Sequence, residues 1–265
     1  GVRAFAAAFP DIPQVLCFDT AFHKTVSEIE SAFALPTEIT SEGVKRYGFH
    51  GLSYQYIIGV LLDCTKRAQG RVMMAHLGNG ASLCAAIGGK SIATTMGFSA
   101  LDGLMMGTRA GSLDAGVLLY LLDKGYTPEQ LEKLLYKKSG LLGVSGISAD
   151  MRKLRASKEP LAIMAIDLFT HRVVREAGSM VACLEGLDVI GFSGGIGEHD
   201  SRLRQSVCKK LSWLGIELDE ALNQAATNNA ISKISTEDSA IEVWVVPTDE
   251  GLVAARDAQA LLAQR

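Results

Sequence analysis

The amino-acid sequence predicts an α/β fold with a mixed β-sheet flanked by helices, and two observations carry this prediction. The glycines, 27 in a chain of 265 residues, follow short apolar, β-branched runs in clusters, as at the strand-to-turn junctions of α/β proteins. Two such runs flank Gly88-Gly89-Lys90, which is the pattern of a β-hairpin. Glycine turns combined with a hairpin are more typical of a mixed sheet than of a purely parallel, doubly wound one.

Five short strands are predicted from runs of apolar and β-branched residues, at 15–18, 72–77, 82–87, 91–95 and 243–246. The first is expected to be buried and to end at Asp19. The second leads directly into Gly78-Asn79-Gly80, and the last is closed by Pro247.

Four helices are predicted, over residues 131–136, 160–184, 201–214 and 251–262. The first is opened by Thr127 as N-cap, Pro128 at the first helical position and Gln130 closing a capping box. The third begins at Asp200 as a cap and ends at Gly215. The second has an amphipathic pattern, and the fourth is rich in alanine.

The composition excludes several classes of protein. Hydrophobic residues make up 48% of the chain, charged residues 21%, and the net charge is −3. This balance is ordinary for a globular protein and indicates neither a nucleic-acid nor a membrane partner. No apolar run approaches the ~18 residues that a membrane span needs. The five cysteines are odd in number and form no CxxC pair, so we expect buried free thiols and a cytoplasmic location.

The first residues, GVRAFAAAFPDIPQ, lack the charged leader and long apolar region of a signal peptide. They are typical of the middle of a protein, with a helix end, a turn and then a strand. We therefore expect an amino-terminal part of the protein to be missing from this chain.

Two glycine-rich turns are candidate anion-binding loops. The first covers residues 76–82 after a strand, and the second covers residues 191–198 before a helix. Glycine lets the backbone approach a ligand closely, and a turn that enters a helix directs N–H groups at an anion. Neither turn matches a P-loop or a dinucleotide-binding fingerprint. The alternative, that both turns only reverse the chain, stays open.

A few side chains could carry chemistry. His23 and His50 each follow a phenylalanine and could donate to a phosphoryl group or serve only as structural donors. Arg109 lies between glycines and could stabilise an anionic group, or be a surface residue in a turn. The segment 247–250 ends a strand with two carboxylates, which fits either a magnesium site or a helix cap.

Taken in order along the chain, seven segments resemble the acetate kinase family: CFDTAFH (17–23), RYGFHG (46–51), HLGNGAS (76–82), TMGFSALDGLMMGTRAG (95–111), SGLLGVSG (139–146), SGGIGE (193–198) and PTDEG (247–251). The match covers essentially the whole chain. That family belongs to the superfamily of sugar kinases, Hsp70 and actin. The resemblance therefore implies two ribonuclease-H-like domains with ATP in the cleft between them.

The resemblance also implies a role for each matching position. Asp19 matches a catalytic acid that orients the acyl carboxylate or magnesium, and Glu250 matches a magnesium ligand. His50 and Arg109 match the residues that stabilise the phosphoryl group during transfer. The positions that match nucleotide-binding segments are His76, Leu77, Gly78, Asn79, Gly80, Asp150, Met151, Arg152, Gly195, Ile196, Gly197, Glu198 and His199.

The chain departs from the family pattern at several places. The N-x-G-S-S-S phosphate loop with which family members open is absent, as is a later arginine that helps to bind the acyl group. The departures inside the matched part are Leu52, Tyr54, Ala93, Ser112, His199 and Gly251. None of them removes a predicted catalytic residue.

These expectations together give a functional hypothesis. Residues 1–20 are a remnant of a first domain, residues 21–248 a complete second domain, and residues 249–265 a helix that returns to the first domain. The intact protein would transfer the γ-phosphoryl group of ATP to acetate with Mg²⁺, as a homodimer, and this chain alone would be inactive. A propionate or butyrate kinase, or a non-catalytic nucleotide-binding or assembly module, stays open as an alternative.

Overall fold

The computed structural model describes residues 1–227 and 229–263, and its centre is a mixed β-sheet. The strands are β1 (Arg71–Leu77), β2 (Ala81–Ile87), β3 (Lys90–Thr94), β4 (Val189–Ser193), β5 (Ser232–Lys233) and β6 (Glu242–Val245). Their order in the sheet is β3-β2-β1-β4-β6-β5. Strands β1, β4 and β6 run parallel, whereas β2, β3 and β5 are antiparallel to their neighbours. The predicted α/β fold with a mixed sheet is confirmed.

Helices cover both faces of this sheet. They are α1 (Val2–Ala8), α2 (Glu28–Ser31), α3 (Thr37–Thr40), α4 (Gly51–Cys64), α5 (Ala115–Asp123), α6 (Pro128–Lys137), α7 (Gly140–Ser145), α8 (Met151–Ala156), α9 (Pro160–Leu184), α10 (Gly194–His199), α11 (Ser201–Lys210), α12 (Glu220–Ala225) and α13 (Glu250–Leu262). Short 3₁₀ turns lie at Ala21–Thr25, Lys66–Gln69 and Ser212–Leu214. In the part of the chain that the structure describes, no helix is both long and apolar enough to cross a membrane.

Strand β1 divides the hydrophobic core between the two faces of the sheet. Its side chains alternate, so Met73 and Ala75 join the larger core cluster, which includes residues of α9, whereas Val72 and Met74 join the smaller cluster beside α4. Both helices contact β1 directly. The strand is therefore buried on both sides, which explains its nearly continuous apolar sequence.

Close packing of α4 on the sheet depends on a glycine in β4. A Cβ atom at Gly191 would lie 3.1 Å from Leu61 Cδ1 and 3.2 Å from Ile57 Cγ2, closer than ordinary van der Waals contact. The glycine lets α4 approach the sheet, and this fixes where the amino-terminal end of α4 lies relative to the strand ends.

Several predicted elements are confirmed. Gly88 and Gly89 have φ values of 55° and 77° and form the two-residue turn between β2 and β3. Thr127 and Gln130 form the predicted capping box at the start of α6, and the long helix α9 has the predicted bounds.

Other predictions are wrong. Residues 15–18 have no regular secondary structure and pair with no strand in the described chain, and Leu16 and Phe18 are exposed. An apolar run supplies hydrophobicity but no hydrogen-bonding partner, so it was insufficient to define a strand there. The helix predicted over 201–214 ends at Lys210 and is followed by a 3₁₀ turn.

The prediction for the cysteines is confirmed only in part. All five are free thiols, and Cys84 and Cys208 are buried as expected. Cys64 and Cys183 are exposed, because they lie on the solvent sides of α4 and α9 rather than on the sides that face the sheet. The domain bounds at residues 20 and 248 stay a prediction.

Candidate active site

Three parallel strands bring the predicted site segments to one edge of the sheet. His76 of β1 lies opposite Ser193 of β4 in register, and β4 is parallel in turn to β6. The two glycine turns and the loop before α13 follow these strands, so they meet at this edge. The main-chain nitrogen of Gly195 lies 3.8 Å from the position of a Cβ atom at Gly78. The two turns are therefore direct neighbours.

A cleft of 990 Å³ opens beside these turns, at the upper end of the range of about 300–1,000 Å³ typical of small-molecule sites. Many of the residues predicted to bind nucleotide line it, namely Gly78, Asn79, Asp150, Met151, Arg152, Gly195, Ile196 and His199. Three segments that are far apart in sequence thus contribute to one cleft.

The other predicted nucleotide contacts lie outside the lining of the cleft. Leu77 and Gly197 are buried against the sheet, where their side-chain positions have no access to a ligand. His76 and Gly80 lie on the other side of the turn, beside the predicted catalytic residues. Glu198 is oriented toward the protein backbone. The assignment of these five residues to the nucleotide stays a prediction.

Glu198 connects the second glycine turn to the loop before α13. Its Oε1 atom accepts hydrogen bonds from the main-chain nitrogens of Gly194 at 2.8 Å and Thr248 at 3.3 Å. The hydroxyl of Ser193 donates to the same oxygen at 3.4 Å. One carboxylate oxygen therefore holds two walls of the site together, which is a structural role that the sequence did not indicate.

Arg204 supports α10 from behind the cleft. Its side chain is fully buried and donates to the carbonyl oxygens of Gly197 at 2.8 Å and Glu198 at 2.7 Å. The same guanidinium also donates to the side-chain oxygen of Asn223 at 2.8 Å. Burial lowers the pKa of Arg204 to about 10, so it keeps its charge at neutral pH. Helix α10 is thus anchored at its carboxyl end, while Gly195 at its start lines the cleft.

The opposite wall of the cleft carries paired charges. Asp150 caps α8 and accepts hydrogen bonds from the Arg152 side chain at 3.0 and 2.7 Å. These bonds, together with the main-chain N–H of Arg152, hold the pKa of Asp150 at about 2. Arg155 forms a second ion pair with Asp200 at 3.1 Å. Both arginines border the cleft, so an anionic ligand would meet guanidinium groups already positioned by carboxylates.

Asp19 and His50 are joined through the backbone. Asp19 Oδ2 accepts a hydrogen bond from the main-chain nitrogen of His50 at 2.8 Å, and the Asp19 carbonyl accepts one from Gly51 at 2.7 Å. His50 has left-handed backbone angles, φ 57° and ψ 27°, which are uncommon for a residue other than glycine. His23 Nε2 also bonds the carbonyl of Phe49 at 2.9 Å. These contacts hold His50 in its strained conformation at the start of α4.

His50 and His76 form a stacked pair of neutral rings, with centroids 4.2 Å apart. Burial, and to a smaller extent the positive charge of Arg109, lowers the pKa of His50 to about 4. Burial, and to a smaller extent electrostatic repulsion by His50, lowers the pKa of His76 to about 3. Each ring bonds a serine through Nδ1 at 2.8 Å, His50 to Ser82 and His76 to Ser53. At neutral pH these rings can only donate or accept hydrogen bonds as uncharged groups.

Arg109 and His50, to which the family resemblance assigns a shared role, both lie beside Gly80. A Cβ atom at Gly80 would lie 3.2 Å from His50 Nε2 and 3.8 Å from Arg109 Nη1. Arg109 Nη1 donates to the carbonyl of Ala100 at 2.9 Å, and no carboxylate in the described residues forms an ion pair with it. Its positive charge is therefore available to an anion beside Gly80.

Glu250 lies near Asp19 across the site. Burial, and to a smaller extent the negative charge of Asp19, raises the pKa of Glu250. Asp249 is occupied as the cap of α13, since its Oδ1 accepts from the main-chain nitrogen of Leu252 at 2.9 Å. Within the described residues no cluster of three or more potential metal ligands occurs. Two nearby carboxylates nevertheless fit magnesium, which proteins usually bind with one or two carboxylates plus phosphate oxygens and water.

Sequence reasoning missed part of the cleft. The missed lining residues are Ala149, Arg155, Ala156, Asp200, Ser201 and Arg202. All of them lie within four residues of the predicted segments 150–152 and 195–199, so extending each segment by a few residues would have found them. Sequence reasoning noted Tyr54 only as a departure from the family pattern and Ser82 only as the end of the segment 76–82. It did not predict that Ser82 bonds His50 or that Tyr54 bonds Ser82.

Comparison with known proteins gives a consistent result. The sequence model of the family described as the Acetokinase family matches residues 1–256. A protein of Rhodopseudomonas palustris named acetate kinase is 55% identical over 258 residues, which cover 96% of this chain and 64% of that protein.

Two solved structures are similar along nearly the whole chain. The acetate kinase of Porphyromonas gingivalis is 37% identical with a TM-score of 0.94, and the match covers 99% of this chain and 67% of that one. A propionate kinase from Francisella tularensis subsp. tularensis is also 37% identical, with a TM-score of 0.89 and coverage of 96% and 66%. The chain thus spans about two thirds of the length of the solved structures and slightly less of the Rhodopseudomonas protein.

Proposed function

This chain belongs to the acetokinase family, and we propose that the protein carrying it phosphorylates acetate with ATP. The γ-phosphoryl group moves from the β-phosphate oxygen of ATP to a carboxylate oxygen of acetate. One P–O bond breaks and one forms, which gives ADP and acetyl phosphate. In this proposal the nucleotide occupies the 990 Å³ cleft, and residues 21–248 form the domain that binds it.

The observation that carries the proposal is the convergence of two donors beside a nucleotide-sized cleft. His50 Nε2 and Arg109 Nη1 both border Gly80, in the turn that also lines the cleft through Gly78 and Asn79. A phosphoryl group in transfer carries negative charge on three oxygens, and positioned donors stabilise it.

The acceptor chemistry agrees with a neutral His50. Acetate is already ionised at neutral pH, so its attack on phosphorus requires no general base. With a pKa of about 4, His50 is uncharged at neutral pH and serves as a hydrogen-bond donor. Positioning and charge neutralisation then supply the catalysis, as is usual for phosphoryl transfer.

The carboxylates of Glu250 and Asp19 have separate roles in this proposal. Glu250 would hold a magnesium ion, which supplies charge neutralisation to the nucleotide phosphates. Asp19 orients the site, because its side chain is bonded to the backbone of His50 and its charge lies near Glu250.

Propionate is the second candidate acceptor. The chain is 37% identical both to the Francisella propionate kinase and to the Porphyromonas acetate kinase. The ratio of kcat/KM for acetate to kcat/KM for propionate and butyrate decides between these acids.

A hybrid enzyme tests the proposed function. In it, this chain replaces the aligned part of the Rhodopseudomonas palustris acetate kinase, to which it is 55% identical. We expect the hybrid enzyme to form acetyl phosphate from ATP, acetate and Mg²⁺, detected as its hydroxamate. The unaltered Rhodopseudomonas enzyme serves as the positive control. A folded hybrid that binds Mg-ADP but forms no acyl phosphate would instead support a non-catalytic nucleotide-binding module.

We also propose that the protein is a cytoplasmic homodimer that associates through α5. This helix has the sequence AGVLLYLLD, yet none of its residues is buried, and Leu119 and Tyr120 are 64% and 57% exposed. Apolar faces of this kind usually mark an interface. The cytoplasm supplies ATP and keeps thiols reduced, in agreement with five free cysteines.

Replacing Leu119 with glutamate is expected to convert the dimer to a monomer, because the introduced carboxylates would be buried opposite each other. Sedimentation equilibrium at micromolar concentrations measures the change. Lys133→Glu, at an exposed position of α6, is the control and should leave the dimer intact. A wild-type chain that is monomeric under these conditions would refute the proposed interface.

A further inference from the structure

We propose that Tyr54 is a positioning residue that fixes the tautomer of His50 through Ser82. The hydroxyl groups of Tyr54 and Ser82 form a chain that ends at His50 Nδ1, and this chain places the imidazole proton on Nε2. The inference deepens the proposed function. It rests on that function only for the statement that Nε2–H contacts a phosphoryl group.

The three groups are held in line by buried contacts. The Tyr54 hydroxyl is hydrogen-bonded to Ser82 Oγ, and Ser82 Oγ lies 2.8 Å from His50 Nδ1. Tyr54 and Ser82 are both completely buried, at 0% exposure. Tyr54 lies on α4, one turn after His50, and Ser82 lies on β2. Water therefore has no access to the two hydroxyl groups.

The direction of the first hydrogen bond follows from the proton of Tyr54. Burial raises the pKa of Tyr54 well above its usual value, so the phenol keeps its proton. In the described residues, Ser82 Oγ is the side-chain hydrogen-bond partner of the phenol oxygen. The reverse direction would leave a buried O–H without an acceptor, which is costly. Tyr54 therefore donates to Ser82.

The direction of the second bond follows from the first. Ser82 has one proton, and because its oxygen accepts from Tyr54, that proton is free to be donated to His50 Nδ1. A neutral imidazole that accepts at Nδ1 carries its proton on Nε2. His50 Nε2 and Arg109 Nη1 both border Gly80. The chain of hydroxyls thus makes His50 a donor on the same side as the guanidinium.

Nitrogen NMR of the chain labelled with ¹⁵N-histidine tests the tautomer directly. His50 is assigned by comparison with the His50→Gln variant. In the wild-type chain near pH 7 without ligand, we expect Nδ1 to resonate as an unprotonated nitrogen and Nε2 as a protonated one. The opposite pattern, with the proton on Nδ1, would overturn the proposal, and this measurement depends on no variant of Tyr54 folding.

Tyr54→Phe removes only the terminal hydroxyl. Without the phenol proton, the Ser82 hydroxyl is a weaker donor to Nδ1 and a freer acceptor. The preference for the Nε2–H tautomer should therefore fall, and the Nδ1 resonance should move toward that of a protonated nitrogen. Tyr56→Phe makes the same chemical change two residues away on α4, at a partly buried position, and should leave the His50 resonances unchanged. An unchanged His50 spectrum in Tyr54→Phe would remove Tyr54 from this role.

Kinetics of the hybrid enzyme separate this proposal from the proposed function. Tyr54→Phe should lower kcat in proportion to the fraction of His50 that loses the Nε2–H tautomer. KM for ATP should stay unchanged, because the lost preorganisation concerns the transferring group and not the nucleotide. If the hybrid enzyme has no activity, the proposed function fails while the tautomer stands on its spectrum. If the tautomer shifts but kcat does not, the positioning role is overturned and the kinase assignment is unaffected.

Discussion

Arg109→Ala is expected to lower kcat of the hybrid enzyme by about 10³-fold or more, the scale found for arginines that stabilise a transferring phosphoryl group. Arg109 is a cation beside Gly80 that forms no ion pair with a carboxylate of the described residues, and its Nη1 lies on the same side as His50 Nε2. Its removal leaves a neutral imidazole as the only side-chain donor identified at that point. Charge that develops in the transition state would then lose its main compensation.

The fold should tolerate this substitution. The lost polar contacts within the described residues are the hydrogen bonds from Arg109 Nη1 to the carbonyl of Ala100 at 2.9 Å and to Sδ of Met106 at 3.5 Å. The thioether is a weak acceptor, and Ala100 is only partly buried, so water can replace the donor at its carbonyl. KM for ATP should change little, because the nucleotide cleft is lined by other residues. A loss in kcat with unchanged KM is the signature of an interaction made in the transition state.

Two further variants control the experiment. Arg175→Ala removes an arginine of α9 whose side chain is 56% exposed and should retain full activity. Arg109→Lys keeps the positive charge but loses the planar guanidinium group with its paired N–H donors. Its kcat should therefore lie between those of the wild type and Arg109→Ala. Near-normal turnover by Arg109→Ala would exclude Arg109 from the reaction.

The elements that the sequence predicted correctly are those whose signal is local. The turn at Gly88 and Gly89 needs positive φ angles, and the capping box of Thr127 and Gln130 is complete within four residues. Helix α9 shows its apolar face at regular spacing over 25 residues. In each case the residues that form the structure are also the residues that signal it.

Where the predictions failed, the deciding partner lies far away in the chain. Residues 15–18 have the composition of a strand, but no neighbouring strand of the described chain pairs with them. Arg204 looks like a surface residue of a polar helix, yet it is fully buried because carbonyl groups of α10 and α12 surround it. Arg204 forms no ion pair with a carboxylate of the described residues, and burial of such a cation cannot be inferred from its neighbours in sequence.

In the candidate site, too, the sequence predicted local features better than contacts between distant residues. The resemblance to a family identified Asp19, His50 and Arg109, and the structure brings His50 close to both of the others. The connections that hold them, such as Tyr54 to Ser82 across 28 positions, depend on the packing of α4 against β2. The order of motifs thus predicted which residues meet, but not how they are oriented.

Gly195→Val is expected to weaken binding of Mg-ADP by about 100-fold, the effect of losing two charge-assisted hydrogen bonds. Gly195 lines the cleft at the start of α10, and a Cβ atom there would have no protein atom within 4 Å. The valine side chain would therefore leave the packing of the protein undisturbed. It would instead occupy the space through which an anion reaches the main-chain N–H groups.

The neighbouring glycine could not serve for this experiment. Gly194 has a φ of 75°, and a Cβ atom there would lie 2.8 Å from the carbonyl oxygen of Leu77, so a substitution would disturb the fold and the binding together. Gly59→Val, on the exposed side of α4 with no atom within 4 Å of its Cβ position, is the matched control. It should bind Mg-ADP as tightly as the wild type.

Isothermal titration of the purified chain with Mg-ADP measures the affinities, and thermal unfolding checks that the variants are folded. Saturable binding by the wild type and by Gly59→Val, lost in Gly195→Val, would locate the nucleotide at the edge where β1 and β4 end. Equal affinity in all three would mean that the second glycine turn only reverses the chain. The bound nucleotide would then have to be sought elsewhere, and the proposal that Arg109 and His50 face its γ-phosphoryl group would lose its geometric basis.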